Sequence, residues 1–333
     1  MPFLRATFAW FVQLALTALL LLVLWLLIDP DEFGRAVSGA QAEWLLLAVA
    51  FNLLSDVFRG ARWRALLADD CREGVLTLTA ILVLSLGLNA AAPLRAGDLA
   101  RVQILGRRGV ARMTVLGTLA AERLLDFVTF ALLLASATVA GAGRAVNLAT
   151  LAYAGLVLLA LLAAVVVGRR ADSTNAPPTE SAGISGAVRR QLNAFARGLR
   201  TLARPRLAAL AFLFSMLGWT CETLVYFFVA QALGIDASAG ALLVVVVVAN
   251  TVVAVPLTQA SVGPYELSVT AVLSQYGVGR SASAAYAVLV HAVLVVPVVI
   301  AAALALWFLR IRPRDLLYLR AERTVRGHGG EAG

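Results

Sequence analysis

Apolar residues in this chain come in long unbroken runs, and polar residues gather between them. Runs of membrane length predict helices over 8–28, 43–58, 75–92, 113–140, 148–168, 207–232, 240–257 and 283–309, with two short helices near 97–106 and 264–276. About 20 apolar residues in a helix span a hydrocarbon core of about 30 Å. The fold class that follows is an all-α integral membrane protein, a polytopic helical bundle. The first run follows Arg5 and resembles a secretory signal, with Ala40–Gln41–Ala42 as a small-x-small site. Its length and the distance to that site point to an uncleaved membrane helix instead.

Two of the runs are interrupted in the same way. The first break runs from Asn89 through Pro93, Arg95 and Gly97, whose backbone is free to take unusual angles, to Asp98. The second runs from Asn250 through Pro256, Ser261, Gly263 and Pro264 to Glu266. A broken helix exposes backbone N–H and C=O groups that lipid cannot satisfy, so such breaks survive only inside protein or beside a wet cavity. One break in each half of the chain is the sequence pointer to a transporter-like binding site.

Charge turns the runs into a topology. All 28 basic residues among the 333 are arginines, and arginine marks the inner side of a membrane. The 29–43 loop is acidic and is expected outside. The 59–74 loop, with Arg59, Arg62, Arg64 and Arg72, is expected inside, as are the Arg-rich 169–206 segment and the tail from Arg310. Arg101, Arg107, Arg108 and Arg112 stay inside only if the chain turns back at Pro93. The same count makes 240–276 return to its starting side. The expectation is six full crossings, two re-entrant hairpins, both termini cytoplasmic and an inverted repeat. The units are 1–42, 43–168 with a hairpin near 75–106, 169–206, 207–310 with a hairpin near 240–276, and a tail over 311–333.

Net charge of +9 fits flanking arginines better than a nucleic-acid surface, for which there is no motif. Cys71 and Cys221 make no disulfide framework, and His291 and His328 offer no metal-ligand spacing. No metal and no cofactor is expected. Residues 171–186 read as linker. After them Val188, Leu192, Phe195, Leu199 and Leu202 recur at helical spacing with Arg189, Arg190, Arg197 and Arg200 on the other faces. Such a basic amphipathic helix either lies on an anionic inner leaflet or packs on the cytoplasmic loops.

Several side chains carry candidate chemistry. Arg95 at the first break is able to grip a phosphate with its planar fork, and the short helix from Gly97 would aim free N–H groups at an anion. Asp98 either caps that helix or pairs with Arg95 or Arg101. Glu122, Arg123 and Asp126 fall mid-helix, where ionisable groups are costly unless paired or wet; they mark a site or form an internal salt bridge. Glu266 sits at the third position of a helix begun by Gly263 and Pro264, either as a capping acid or as a coupled one. Glu222 and His291 are intramembrane candidates for proton-linked roles or for packing. No catalytic motif is visible.

The run Pro93–Leu–Arg95–Ala–Gly97–Asp98–x–x–Arg101, then Glu122–Arg123–x–x–Asp126, then Gly263–Pro264–Tyr265–Glu266 resembles the flippase-like, lysylphosphatidylglycerol synthase transmembrane-domain family over roughly residues 10–310. The resemblance implies a lipid-translocating membrane domain with two re-entrant regions. Some members fuse it to a synthase; the expectation here is the membrane domain without aminoacylation. Two departures stand out. The family's second break reads P-x-x-P-G-G-x-G-x-x-E, whereas this chain lacks the glycine pair, and the family often has Arg where His291 stands. The resemblance assigns Arg95, Asp98, Arg101, Glu122, Arg123, Asp126 and Glu266 to a lipid headgroup. The expected function is a plasma-membrane flippase for a phospholipid or polyprenyl-phosphate-linked lipid. The alternatives are a membrane-embedded lipid-linked transferase and a non-transporting partner of an envelope-lipid synthase. Expected partners are membrane lipids with anionic headgroups, an envelope-lipid synthase, and no nucleic acid.

Overall fold

The computed structural model describes residues 2–92, 96–141, 144–173, 184–254 and 257–311. Pro93, Arg95, Pro256, the linker over 174–183 and the tail from 312 lie outside the described residues. Every regular element described is helical: α1 (Pro2–Leu27), α2 (Pro30–Ser38), α3 (Ala42–Leu67), α4 (Val75–Ala91), α5 (Ala96–Arg107), α6 (Arg112–Val139), α7 (Arg144–Ser173), α8 (Ile184–Leu199), α9 (Pro205–Ala232), α10 (Ala239–Ala254), α11 (Pro264–Gln275) and α12 (Arg280–Phe308). Short 3-10 turns follow α3, α8 and α10.

By length and composition, α3, residues Thr150–Arg170 of α7, α9 and α12 are apolar enough to cross a membrane. A fifth span arises if α1 and α2, bent by 95°, count together. Asp29 makes that bend: its carboxylate accepts from the N–H of Asp31 and Glu32, and Pro30 begins α2. The chain is a multi-pass membrane protein. Exposed Leu151, Leu156, Leu158, Leu159 and Leu162 on α7 and Ile300, Leu304 and Trp307 on α12 present the apolar exterior that lipid requires.

α4 and α5 fold back on each other as a helical hairpin. Leu78 and Ile81 of α4 share one core with Ala100, Ile104 and Leu105 of α5. Arg108, after α5, meets Glu73, before α4, at 2.8 Å, so the chain leaves the hairpin at the end where it entered. α10 and α11 do the same. Val244, early in α10, packs with Tyr276 just past α11, and Val245 and Val246 share a core with Val269 and Leu273. At about 1.5 Å per residue, α4 and α10 are about 25 Å long and α5 and α11 about 18 Å, each short of a full span.

The loops collect at two ends. Arg200 pairs with Asp70 at 3.1 Å at the Arg108–Glu73 end. At the other, Asp29 N donates to Ser281 Oγ (3.0 Å) and Gln41 N to Ala232 O (2.9 Å). α3 and α9 run alongside each other through the centre. The first hairpin packs on α3, α6 and the late part of α12; the second packs on α9, α12 and the late part of α6. Small residues permit these close approaches. A Cβ on Gly117 would fall 2.9 Å from the Cα of Gly198, and one on Gly87 would fall 2.4 Å from the Ala302 methyl.

Three readings from the sequence change. α3 continues nine residues past its expected end to Leu67, so Arg59, Arg62 and Arg64 are helical rather than loop residues. Gly97 has no left-handed backbone. It is small because α5 begins against α4, where a Cβ would sit 1.8 Å from Ser85 O. The basic helix α8 is docked at one end: Leu199 and Leu202 are buried against α3, α6 and α7, and Thr114 Oγ1 donates to Ala194 O (3.0 Å). Val188 and Leu192, at its other end, are exposed.

Candidate functional site

A cavity of about 250 Å³ lies where both breaks meet the paired central helices. Asn89 and Ala90 from the end of α4 line it from one side. Thr258, Ala260 and Ser261 from the turn before α11 line it from the other, and Gln259 Nε2 reaches Ala90 O at 3.4 Å. Charged residues converge between them: Asp56, Arg59 and Arg62 from α3, Asp98 and Arg101 from α5, Glu122, Arg123 and Asp126 from α6, and Glu222 from α9.

These charges are mostly matched. Arg101 and Glu122 form a bidentate pair, with both N–H···O distances at 3.0 Å. The face of Trp63 lies 3.9 Å from the guanidinium carbon. Arg62 donates to Asp126 at 2.5 Å and to Ser215 Oγ at 3.1 Å, and Trp219 Nε1 donates to the same Asp126 oxygen at 2.9 Å. Arg59 is ion-paired with Glu222, which also accepts from Asn250 Nδ2 at 2.9 Å. Low-dielectric surroundings make each matched pair tolerable and would make each broken one costly.

Arg123 is different. Its side chain is 46% exposed, and its contact to Asp126 is a long 3.4 Å. It is a weakly paired arginine in the lining of the cavity.

Asn89 governs the start of α5. Its Oδ1 accepts from Gly97 N (2.8 Å) and its Nδ2 donates to Asp98 Oδ1 (3.3 Å). One of the N–H groups that the sequence assigned to an anion is therefore already bonded. Asn250 plays another part, joining Glu222 to Val246 O (3.0 Å) and to Tyr226 OH (3.4 Å). Tyr265 OH in turn donates to Tyr226 OH (3.1 Å).

At the second break Glu266 is both the capping acid and a partner of His291. Its Oε2 accepts from Gly263 N at 2.6 Å, and its Oε1 lies 2.5 Å from His291 Nδ1. His291 Nε2 is 3.0 Å from Ala260 O. Both ring nitrogens face acceptor oxygens, so either the ring is an imidazolium or Glu266 carries the proton. The pair is neutral in both cases. Gly263 has φ 96°, the left-handed backbone its place demands, and Pro264 opens α11. Counting back from Glu266, the glycine pair of the family pattern falls on Ala260 and Ser261. These residues have φ 50° and 63°, so the glycine-type turn is kept without the glycines.

The structure thus brings together Asp98, Arg101, Glu122, Arg123, Asp126, Glu222, His291, Asn89 and Asn250 around one cavity, with Glu266 directly behind His291. Reasoning from the sequence missed Asn52, Asp56, Arg59 and Arg62. The signal was present: Asn52, Asp56 and Arg59 recur every three or four residues, a polar stripe on one face of an apolar helix. Among the described residues no group of three His, Cys, Asp or Glu side chains is placed to hold a metal. Cys71 and Cys221 are both buried as free thiols.

Comparison with known proteins bears on this geometry. A family model described as the lysylphosphatidylglycerol synthase transmembrane region matches residues 10–317. The curated protein "Glycosyltransferase AglD" of Haloferax volcanii is 28% identical over 324 residues, an alignment that takes in 84% of this chain and 51% of that protein. The chain spans about half the length of that curated relative.

Proposed function

The chain belongs to the lysylphosphatidylglycerol synthase transmembrane-region family, and from that premise we propose that it moves a lipid between the leaflets of the plasma membrane. The substrate is a phospholipid or a polyprenyl-phosphate-linked lipid whose headgroup enters the charged cavity. The observation that carries this reading is the meeting of the two hairpin tips, through Gln259 and Ala90, over a buried cluster of charges. A cavity of that kind takes a polar headgroup out of water while the acyl or prenyl chains stay in lipid.

In this reading α1 with α2, α3, α6, α7, α9 and α12 cross the membrane, and the hairpins α4–α5 and α10–α11 are re-entrant from opposite sides. α6 crosses despite its charges, because Glu122 and Asp126 are paired in the interior. The corresponding packing of the two hairpins, on α3, α6 and the late part of α12 in one case and on α9, α12 and the late part of α6 in the other, supports an inverted repeat. Both termini are cytoplasmic. Arg123 receives the phosphate, a role that the sequence motif also assigns to Arg95. Arg101, Glu122 and Asp126 shape the pocket through their mutual pairs, and Glu266 with His291 sets the second tip.

Reconstitution into vesicles with a labelled phospholipid in one leaflet tests this. Wild-type protein accelerates exchange between leaflets, and Arg123→Ala and Arg95→Ala slow it. Equal rates for empty vesicles and wild-type vesicles, across phospholipid and polyprenyl-phosphate probes, would sink the reading. The glycosyltransferase name of the Haloferax volcanii relative favours a second reading, a lipid-linked transferase with Glu122 or Glu222 as base. Sugar transfer to a polyprenyl phosphate by the purified chain would select it.

A further inference from the structure

Asp56 stands apart from the other acids of the cavity. It sits on α3, one turn before Arg59, and is 2% exposed. Glu122, Asp126 and Glu222 each accept at least one hydrogen bond from a guanidinium, and Asp98 accepts one from Asn89. Neither carboxylate oxygen of Asp56 accepts any. Its ion-pair contact is Arg59 Nη1 at 3.6 Å, and that guanidinium is committed through its other nitrogen to Glu222. One arginine therefore serves two carboxylates and is closely engaged with one of them. A buried carboxylate without a hydrogen bond is strongly unfavourable unless a positive charge joins it.

Among the described residues, the surrounding charges do not supply that charge. α3 contributes Arg59 and Arg62, α5 Asp98 and Arg101, α6 Glu122, Arg123 and Asp126, α9 Glu222, and α12 His291. α4 and α10 contribute only the amides of Asn89 and Asn250, and α11 the phenol of Tyr265. Glu266 and His291 neutralise each other. Among the described residues that leaves four guanidiniums facing five carboxylates, Asp56 included, and Asp56 is the carboxylate without a bonded partner. Asn52, one turn before Asp56, lines the same cavity. Its amide nitrogen is taken by Val293 O (3.0 Å) and Leu294 O (3.3 Å), so its oxygen is the end left for a ligand.

We propose that Asp56 is a monovalent-cation site of the cavity, occupied by a proton or a sodium ion. When the site fills, Arg59 is held by Glu222 alone; when it empties, Arg59 is shared with Asp56. Because Arg59 lies over the ring of Trp219 at 5.1 Å, cation occupancy is tied to the wall of the headgroup cavity. The site would let an ion gradient drive the lipid. That coupling role rests on the translocation reading, whereas the site itself does not.

Purified full-length protein in detergent separates the parts. For the proton, infrared difference spectra between acid and alkaline buffer are expected to show a carboxylic-acid C=O band that is lost in Asp56→Asn and moved in Asp56→Glu. For sodium, the thermal unfolding temperature is expected to rise saturably with sodium chloride but not choline chloride, with no such rise in Asp56→Asn. Either result supports the site. Identical infrared spectra together with identical sodium responses in wild type and both variants would overturn it, and the two variants guard against misfolding of one. In vesicles, an imposed gradient of the cation so identified is expected to accelerate lipid exchange several-fold in wild type and not in Asp56→Asn. Exchange in wild type that no gradient alters overturns the coupling. Cation binding at Asp56 with no lipid movement overturns the translocation reading and leaves the site standing.

Discussion

Arg101 and Glu122 meet through two parallel contacts of 3.0 Å, both side chains almost completely buried. One comes from the first hairpin and the other from the middle of α6, so this pair pins the break in the chain to the helix that carries the second charged motif. The planar fork of arginine fits the carboxylate, and its flat face rests on Trp63.

Removing one partner strands the other. Arg101→Ala or Glu122→Ala is expected to destabilise the protein by about 3–5 kcal/mol, read as a lowered thermal unfolding temperature in detergent. Arg101→Lys should recover little, because an ammonium makes neither the fork nor the stack. Replacing both residues by Met should recover most of the stability. A double variant as unstable as the single ones would mean that the pair does more than neutralise itself.

Arg123 is the contrasting case. Exposed and weakly paired, its truncation to Ala should change stability by no more than about 0.5 kcal/mol. Lipid exchange in vesicles should nevertheless fall. A loss of stability matching that of Arg101→Ala would place Arg123 in the packing rather than in the headgroup site.

The turn before α11 carries strain. A non-glycine residue in the left-handed region costs about 1–2 kcal/mol, while a glycine there costs about 0.4–1 kcal/mol more to order from the unfolded chain. Ala260→Gly should therefore stabilise the protein by about 0.5–1 kcal/mol, measured by thermal unfolding. A destabilised variant would show that the Ala260 methyl is held by packing that repays the strain.

Gly97 answers to space instead. A methyl 1.8 Å from Ser85 O forces α5 away from α4. Gly97→Ala is expected to cost about 1–3 kcal/mol, the usual range for overpacking, and to slow lipid exchange by displacing Asp98 and Arg101. Wild-type stability and exchange in this variant would mean that the hairpin opens without consequence.

Pro297 interrupts α12 and denies Val293 O its helical donor. Asn52 supplies one from α3 at 3.0 Å. Asn52→Ala should cost about 1–3 kcal/mol in wild type and distinctly less in a Pro297→Ala background, where the helix provides its own N–H. Additive effects in that double-mutant cycle would deny the coupling.

Much of this protein was legible in its sequence. Apolar run length and the two Asn–Pro–Gly interruptions determine an all-helical membrane bundle with two broken segments, because lipid accepts nothing else with those backbones. Position along the chain alone also picked out Glu122 and Asp126, since ionisable residues inside apolar helices are rare enough to mark a site, whereas Arg101 was singled out through the family resemblance. The pairings were not legible. Sequence proximity suggested that Asp126 belongs with Arg123, yet its close partner is Arg62, from a stretch whose arginines looked like a loop. Gly97 looked like a conformational residue and is a packing one. The sequence determines which charges are buried; only the tertiary structure decides which of them cancel. Pairing depends on ångström distances between helices far apart in the chain, and among the described residues that geometry is what leaves Asp56 without a hydrogen-bonded partner beside the charged cavity.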